Sequence, residues 1–154
     1  MRRTIVIVIV TIVVAIVALF VSKTAISSAP ELMPKEVKVE NFSYISGGIG
    51  ESESIRMKSL AKTYQLEIVF IQRPIPRQSE AVDVKEEYLS NIQLLIQDHH
   101  LNPVLNLETD GPYLLVNLAS GRYLLVAGHH GLIKQQWVNV SADKHQRVVF
   151  WWPI

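Results

Sequence analysis

The chain of 154 residues contains no cysteine. Disulfides, thiolate metal sites, a thiolate nucleophile, a CxxC redox pair and a lipobox anchor are all excluded. A small exported domain is often stapled by disulfides. This one must hold together by burial alone. Strong charge of either sign is also missing. Setting aside Arg2, Arg3 and Lys23 leaves 12 basic against 14 acidic residues, a net charge of −2 over residues 30–154. Nucleic-acid binding needs a concentrated basic surface, so no nucleic-acid partner is expected. The chain has no GxGxxG fingerprint, no GK[ST] and no GxSxG.

What is present begins at the N-terminus. Arg2 and Arg3 precede an uncharged run from Thr4 to Val21 made of Ile, Val, Ala, Leu, Thr and Phe. A positive n-region before an apolar stretch is the pattern of an export signal. Ile5 to Val21 sits at the lower length limit for a bilayer-spanning helix. Ser27 and Ala29, or Ala25 and Ser27, offer peptidase frames, and Pro30 disfavours the first. Both outcomes stay open: a cleaved signal peptide over 1–29, or a signal anchor holding the chain to the membrane through residues 4–21. In either case the arginines keep the N-terminus inside, and the remainder faces the periplasm or the outer face of the inner membrane.

Residues 30–43, with Pro30 and Pro34, read as a tether, although Val37 to Tyr44 has the composition of a short first strand. Gly47, Gly48 and Gly50 require a turn, not a phosphate cradle, because Glu51 and Glu53 would repel an anion there. Glu51 to Gln65 reads as a helix, with Met57, Leu60, Ala61 and Tyr64 forming one apolar stripe. Leu66 to Ile71 alternates as a strand. Residues 44–71 therefore form a turn–helix–strand unit. Residues 72–86, with Pro74 and Pro76, read as a linker or long loop.

From residue 87 to 154 short apolar runs alternate with turn residues. The expected strands are Tyr88–Gln97, Pro103–Glu108, Tyr113–Leu118, Arg122–Gly128, Leu132–Val140 and Gln146–Trp152. Six strands without intervening helices predict an antiparallel β-sandwich. An immunoglobulin-like sandwich of different topology is the alternative.

Three stretches carry a family resemblance: Asp110-Gly111-Pro112-Tyr113-Leu114, Leu118-Ala119-Ser120-Gly121-Arg122-Tyr123, and Val148-Val149-Phe150. They resemble the transthyretin-like (prealbumin-like) sandwich of carboxypeptidase regulatory-like domains. The middle stretch looks like the family's L-x-x-G-x-Y turn, in which Gly121 supplies the turn and Tyr123 enters the core. Short exported proteobacterial members share a Gly-Gly-x-Gly segment before a helix and strand, which extends the resemblance over residues 44–152. It implies a mainly β, prealbumin-like sandwich with one N-terminal helix, no catalytic residues and no cofactor.

Other chemistry is thin. His99-His100 and His129-His130 are turn pairs. His145 is expected at the same end of the sandwich as His99 and His100, so these three are weak metal candidates. Ser, His and Asp co-occur without a recognisable hydrolase frame. Trp151 and Trp152 are adjacent on a strand and must face opposite ways. One of them therefore packs under the helix or meets a partner. Trp137 and Trp151 are the candidate binding-surface residues. The expected function is a non-catalytic envelope module that binds a protein, with carbohydrate or cell-wall binding as the second reading and a metal protein or hydrolase as the third.

Overall fold

The computed structural model describes residues 34–75 and 85–154. The expected signal segment, the first part of the tether and most of the 72–86 linker lie outside those residues. Among the described residues no helix is long and apolar enough to cross a membrane.

The described chain is mainly β. Ten strands run β1 (Val37–Val39), β2 (Phe42–Gly47), β3 (Leu66–Arg73), β4 (Glu87–Tyr88), β5 (Gln93–Gln97), β6 (Pro103–Glu108), β7 (Tyr113–Asn117), β8 (Gly121–His129), β9 (Leu132–Val140) and β10 (Gln146–Pro153). The single α-helix, α1 (Glu51–Leu60), continues into a 3-10 turn, Ala61–Thr63. Sheet 1 has the order β1-β2-β7-β3-β10, with β4 also on β3; sheet 2 has the order β6-β5-β8-β9.

The alternation of apolar residues decides which faces meet. Leu66, Ile68 and Phe70 of β3, Leu114 and Val116 of β7, and Val148, Phe150 and Trp152 of β10 point to one side of sheet 1. Leu94, Ile96, Leu105, Tyr123, Leu125, Ala127, Val138 and Val140 of sheet 2 belong to the same buried cluster. The two sheets thus share one core. The opposite face of sheet 1 carries Ile45, Val69, Ile71, Tyr113 and Leu115, and these pack against Met57, Ala61 and Tyr64. Sheet 1 is therefore apolar on both faces, which is why Leu114-Leu115-Val116 has no polar alternate. The helical stripe read from the sequence is the one that docks. Met57 is fully buried, an arrangement worth roughly 1.5–3 kcal/mol for such a side chain.

Local chemistry fixes the helix ends. Gly50 adopts φ +82° as the N-cap, and the Gly48 N–H donates to Glu53 Oε1 at 2.7 Å. Glu51 and Glu53 stand in the first turn, where the helix dipole favours negative charge. The Tyr64 N–H donates back to Ala61 O, and Tyr64 itself is extended, which ends the helix before the expected Gln65.

Several expectations are corrected. Residues 37–43 are not tether, because they form β1 and begin β2, antiparallel to one another. The relation of the helix–strand unit to residues 87–154, left open by the sequence, is one of shared sheet. The unit's strand β3 lies between β7 and β10, and β2 pairs β7. The strand expected at Tyr88–Gln97 divides. β4 pairs β3 in sheet 1, whereas β5 belongs to sheet 2. Asn91 takes φ 59° at the crossing. The crossing exists because Leu89 and Ile92 both bury in the shared core, which strict alternation forbids. The pairing is antiparallel throughout except that β10 runs parallel to β3, from Gln146↔Leu66 to Pro153↔Arg73.

The turn glycines also sort differently. Gly48 (φ +101°) and Gly50 need their conformation. Gly121 does not: it starts β8, its φ is not left-handed, and a methyl there would meet the Tyr123 ring at an ordinary 3.5 Å. Tyr123 enters the core as expected, with its hydroxyl donating to Ala119 O at 2.9 Å. The indispensable glycine of the family-like stretches is Gly111, which rests on the Gly47 backbone. Asp110 N–H donates to Ser46 Oγ at 2.8 Å, and Pro112 O accepts from Phe70 N–H at 3.0 Å.

Candidate functional site

The five histidines do not assemble a donor set. Among the described residues no group of three or more His, Asp or Glu side chains could hold a metal ion. His99 and His100 lie against one another on the β5–β6 turn, with ring centroids 3.7 Å apart. Asp98, which might have joined them, is consumed by the turn: it accepts from the His100 and Asn102 N–H groups and from Asn102 Nδ2. Those bonds, led by the Asn102 side chain, hold its carboxyl below the usual carboxylate range. His145 is committed elsewhere. Its Nδ1 lies 2.9 Å from Tyr64 O, and its Nε2 lies 3.2 Å from Glu67, a carboxylate only 5% exposed. Glu67 also faces Arg147 at 3.6 Å. His129 and His130 sit at the opposite end, in a two-residue hairpin with positive φ at His130 and Gly131.

Among the described residues no serine is hydrogen-bonded to a histidine. The sequence does spell Ser-x-x-Lys twice, at Ser59–Lys62 and Ser141–Lys144, against the expectation of no recognisable hydrolase frame. Ser59 Oγ donates to Arg56 O on the exposed side of α1, and Ser141 Oγ donates to Asp143. Both hydroxyls are local turn and helix groups, so the spacing is incidental.

The tryptophans divide as strand alternation requires. Trp152 is buried in the shared core, with its indole N–H donating to Leu132 O at 3.3 Å and His129 edge-on at 5.6 Å. Trp151 lies on the other face of sheet 1, half-buried beside the helix-side cluster. Arg73 approaches its ring at 4.6 Å and Lys134 at 4.9 Å. Trp137, on β9, is 41% exposed and carries Arg122 at 4.5 Å from its ring. These are cation–π distances.

β9 and β10 are outer strands of their sheets. Gln146 N–H donates to Gln65 O and Ile154 N–H to Arg73 O. Even-numbered residues of β10 therefore bond to β3, and Arg147, Val149 and Trp151 turn their backbone groups outward. Pro153, next in that row, has no N–H, which blunts the edge. On β9 the corresponding row is Ile133, Gln135, Trp137 and Asn139, because the hairpin closes on His129↔Leu132.

Among the concavities of the described residues, two run along strands of sheet 1. A wide depression of about 540 Å³ runs beside β1 and β2, lined by Glu36, Lys38, Glu40 and Asn117 among others, with charges of both signs and no convergent group. A smaller groove of about 270 Å³ lies on the outer face of sheet 1, over β3, β4 and β10. Val69, Ile71 and Val149 line it with apolar surface, Tyr88 and Trp151 add aromatic rings, and Arg73, Arg147 and Glu86 add two positive charges and one negative. Lys58 of α1 lies 5.8 Å from the Tyr88 ring. The adjacent Tyr113 hydroxyl and burial push the Tyr88 phenol up. Sequence reading singled out Trp151 but missed Arg73, Tyr88 and Arg147. They lie on three separate strands, and two long-range pairings bring them to one face: the antiparallel β3–β4 pair sets Tyr88 beside Ile71, and the parallel β3–β10 register sets Arg147 on the same side.

Comparison of the chain with protein-family models, with curated proteins and with solved structures found no match.

Proposed function

We propose that this chain is a non-catalytic binding module of the carboxypeptidase regulatory-like, prealbumin-like type. It works in the periplasm or at the outer face of the inner membrane, and it holds a protein partner through the β9 and β10 strands. The family reading is supported by seven strands, β3 and β5–β10, distributed over two sheets around one core. It is also supported by the positions of its motif stretches, Asp110–Leu114 at the β6–β7 connection and Leu118–Tyr123 at β7–β8. The location rests on Arg2, Arg3 and the apolar run after them.

The observation that carries the binding reading is the pair of outer strands. Leu132, Ile133, Trp137 and Val149 are all more than two-fifths exposed there, and the backbone groups of both outward rows have no strand partner among the described residues. The carbohydrate reading is weaker on the same observations. A sugar stacks on a bare ring, and Trp137 and Trp151 both already have cations over theirs. No arrangement of His, Asp, Glu and Ser described above favours an enzyme.

The test is photo-cross-linking in intact cells, with a photoreactive residue placed at Trp137 or Trp151 of the full chain. One dominant envelope protein captured from either position is the expected result. Capture of cell-wall fragments alone would move the carbohydrate reading ahead. No capture from either position would refute the module.

A further inference from the structure

The groove over β3 and β10 has a composition that selects its ligand. Arg73 and Arg147 contribute guanidinium groups, Lys134 reaches Trp151 at the rim, and Lys58 lies beyond Tyr88. Two carboxylates oppose these four cations, and neither engages closely. Glu86 lies 3.9 Å from Arg73 Nη1, and Glu67 lies 3.6 Å from Arg147 Nε. Both distances are too long for a hydrogen bond. Arg73 Nε is buried with no hydrogen-bond partner among the described residues. A buried guanidinium N–H without an acceptor is costly, and a carboxylate is the acceptor its fork fits. The apolar part of the lining then accommodates a short aliphatic stem.

We propose that this groove receives an acidic side chain from an extended segment of a protein partner, with Arg73 as its principal anchor. The proposal rests on the protein-binding reading above and supplies the chemistry of the partner. Size supports it: about 270 Å³ suits a side chain and is below the range of small-molecule pockets. Charge argues against a lipid surface, because lipid-binding sites gather about four to eight Lys or Arg, whereas Arg73 and Arg147 line this groove together with Glu86 and apolar side chains. The outward backbone groups of Arg147, Val149 and Trp151 lie beside the groove. A segment paired there alternates its side chains, so that every second one falls over the sheet face.

The experiment measures fluorescence anisotropy of a labelled ten-residue peptide alternating Glu and Val, titrated with the full chain in detergent micelles. The Lys-for-Glu peptide is the counterpart, and vesicles of phosphatidylglycerol are a separate arm. The acidic peptide should bind saturably, the basic one should not, and added salt should weaken binding. Arg73→Gln should weaken it about tenfold, and Lys38→Gln, on β1 at the opposite edge of the same sheet, less than about twofold. Lys134→Gln, at the exposed rim, provides a second variant should Arg73→Gln fail to fold; it should weaken binding about threefold. Equal binding of both peptides, loss through Lys38→Gln with Arg73→Gln unchanged, or binding to vesicles but not to the acidic peptide would overturn the proposal. If cross-linking captures a protein at Trp151 while the acidic peptide fails to bind, the ligand chemistry is wrong and the module reading survives. If nothing is captured from Trp137 or Trp151, that reading falls as well.

Discussion

Replacing Gly111 by alanine should be among the most damaging single-methyl changes available in this domain. Gly111 is buried, and its Cα faces the backbone of Gly47. A methyl built there would lie 2.9 Å from Gly47 Cα and closer still to its carbonyl carbon and oxygen. Nonbonded carbons settle near 3.5–4.0 Å, so the two segments must part by more than 0.5 Å at the least. Gly47 cannot yield cheaply, because it is paired with Tyr113 in the β2–β7 ladder. Its neighbour Ser46 accepts the Asp110 N–H at 2.8 Å. Separation therefore strains a sheet pair and a buried hydrogen bond together. Overpacking costs typically 1–3 kcal/mol, and a backbone obstacle belongs at the upper end, about 3 kcal/mol. For a domain of this size that lowers the melting midpoint by about 10–20 °C. The internal control is Gly121→Ala, whose methyl meets only the Tyr123 ring at 3.5 Å. Its effect should stay within about 0.5 kcal/mol, shifted toward stabilisation by the reduced freedom of the unfolded chain. Thermal melts followed by circular dichroism compare the two. Midpoints within about 3 °C of each other would refute the packing of the 110–112 turn on β2.

The tryptophans should separate in the same assay. Trp152→Ala should cost about 3–5 kcal/mol as a core truncation, while Trp137→Ala should stay within about 0.5 kcal/mol. The reverse order would mean that β10 is turned over. Burial and then the charge of His130 hold His129 below the ordinary imidazole range. The unfolded chain therefore takes up its proton first, so this contribution is intact above pH about 6.5 and fades as pH falls through the folded value. The urea midpoint of the native chain minus that of His129→Gln should decrease from pH 7.5 to pH 5, and an increase would contradict the assignment. Burial, with Glu36 accepting its hydroxyl at 3.1 Å, pushes Tyr64 up to about 12. The linked stability is present below pH about 10 and is lost as pH rises through about 12. Glu36→Gln should bring the last phenol in an ultraviolet titration to lower pH, and an unchanged last step would dissociate the pair.

Legibility in the sequence followed the range of the interactions. The stripe Met57, Leu60, Ala61, Tyr64 and the hairpin at His130-Gly131 depend on neighbours a few residues apart, and both are present as read. The expected Tyr88–Gln97 strand runs straight across Ser90-Asn91, a turn-type pair that marks the break. Its division into β4 and β5 is forced by contacts with Phe70 and Thr109, far away in sequence. Gly121 looked essential by its place in a motif, whereas the need for glycine at 111 comes from Gly47, a residue on another strand. Likewise the groove's Arg73 and Arg147 are unremarkable charges until the parallel pairing sets their strands side by side. The doubly apolar β7, by contrast, announced a sheet covered on two sides.

That parallel pairing also dictates an order of events. β3 is flanked by β10 along its whole length, yet 80 residues separate Leu66 from its partner Gln146. Loop closure on this scale is entropically expensive and slow, and it must wait for the hairpins of sheet 2 to shorten the effective span. Phe150 and Trp152 reach the core only with that last strand. A nascent chain made only as far as β9 therefore has an incomplete core and an open β3 edge, a template for wrong strand pairing until residues 146–153 arrive.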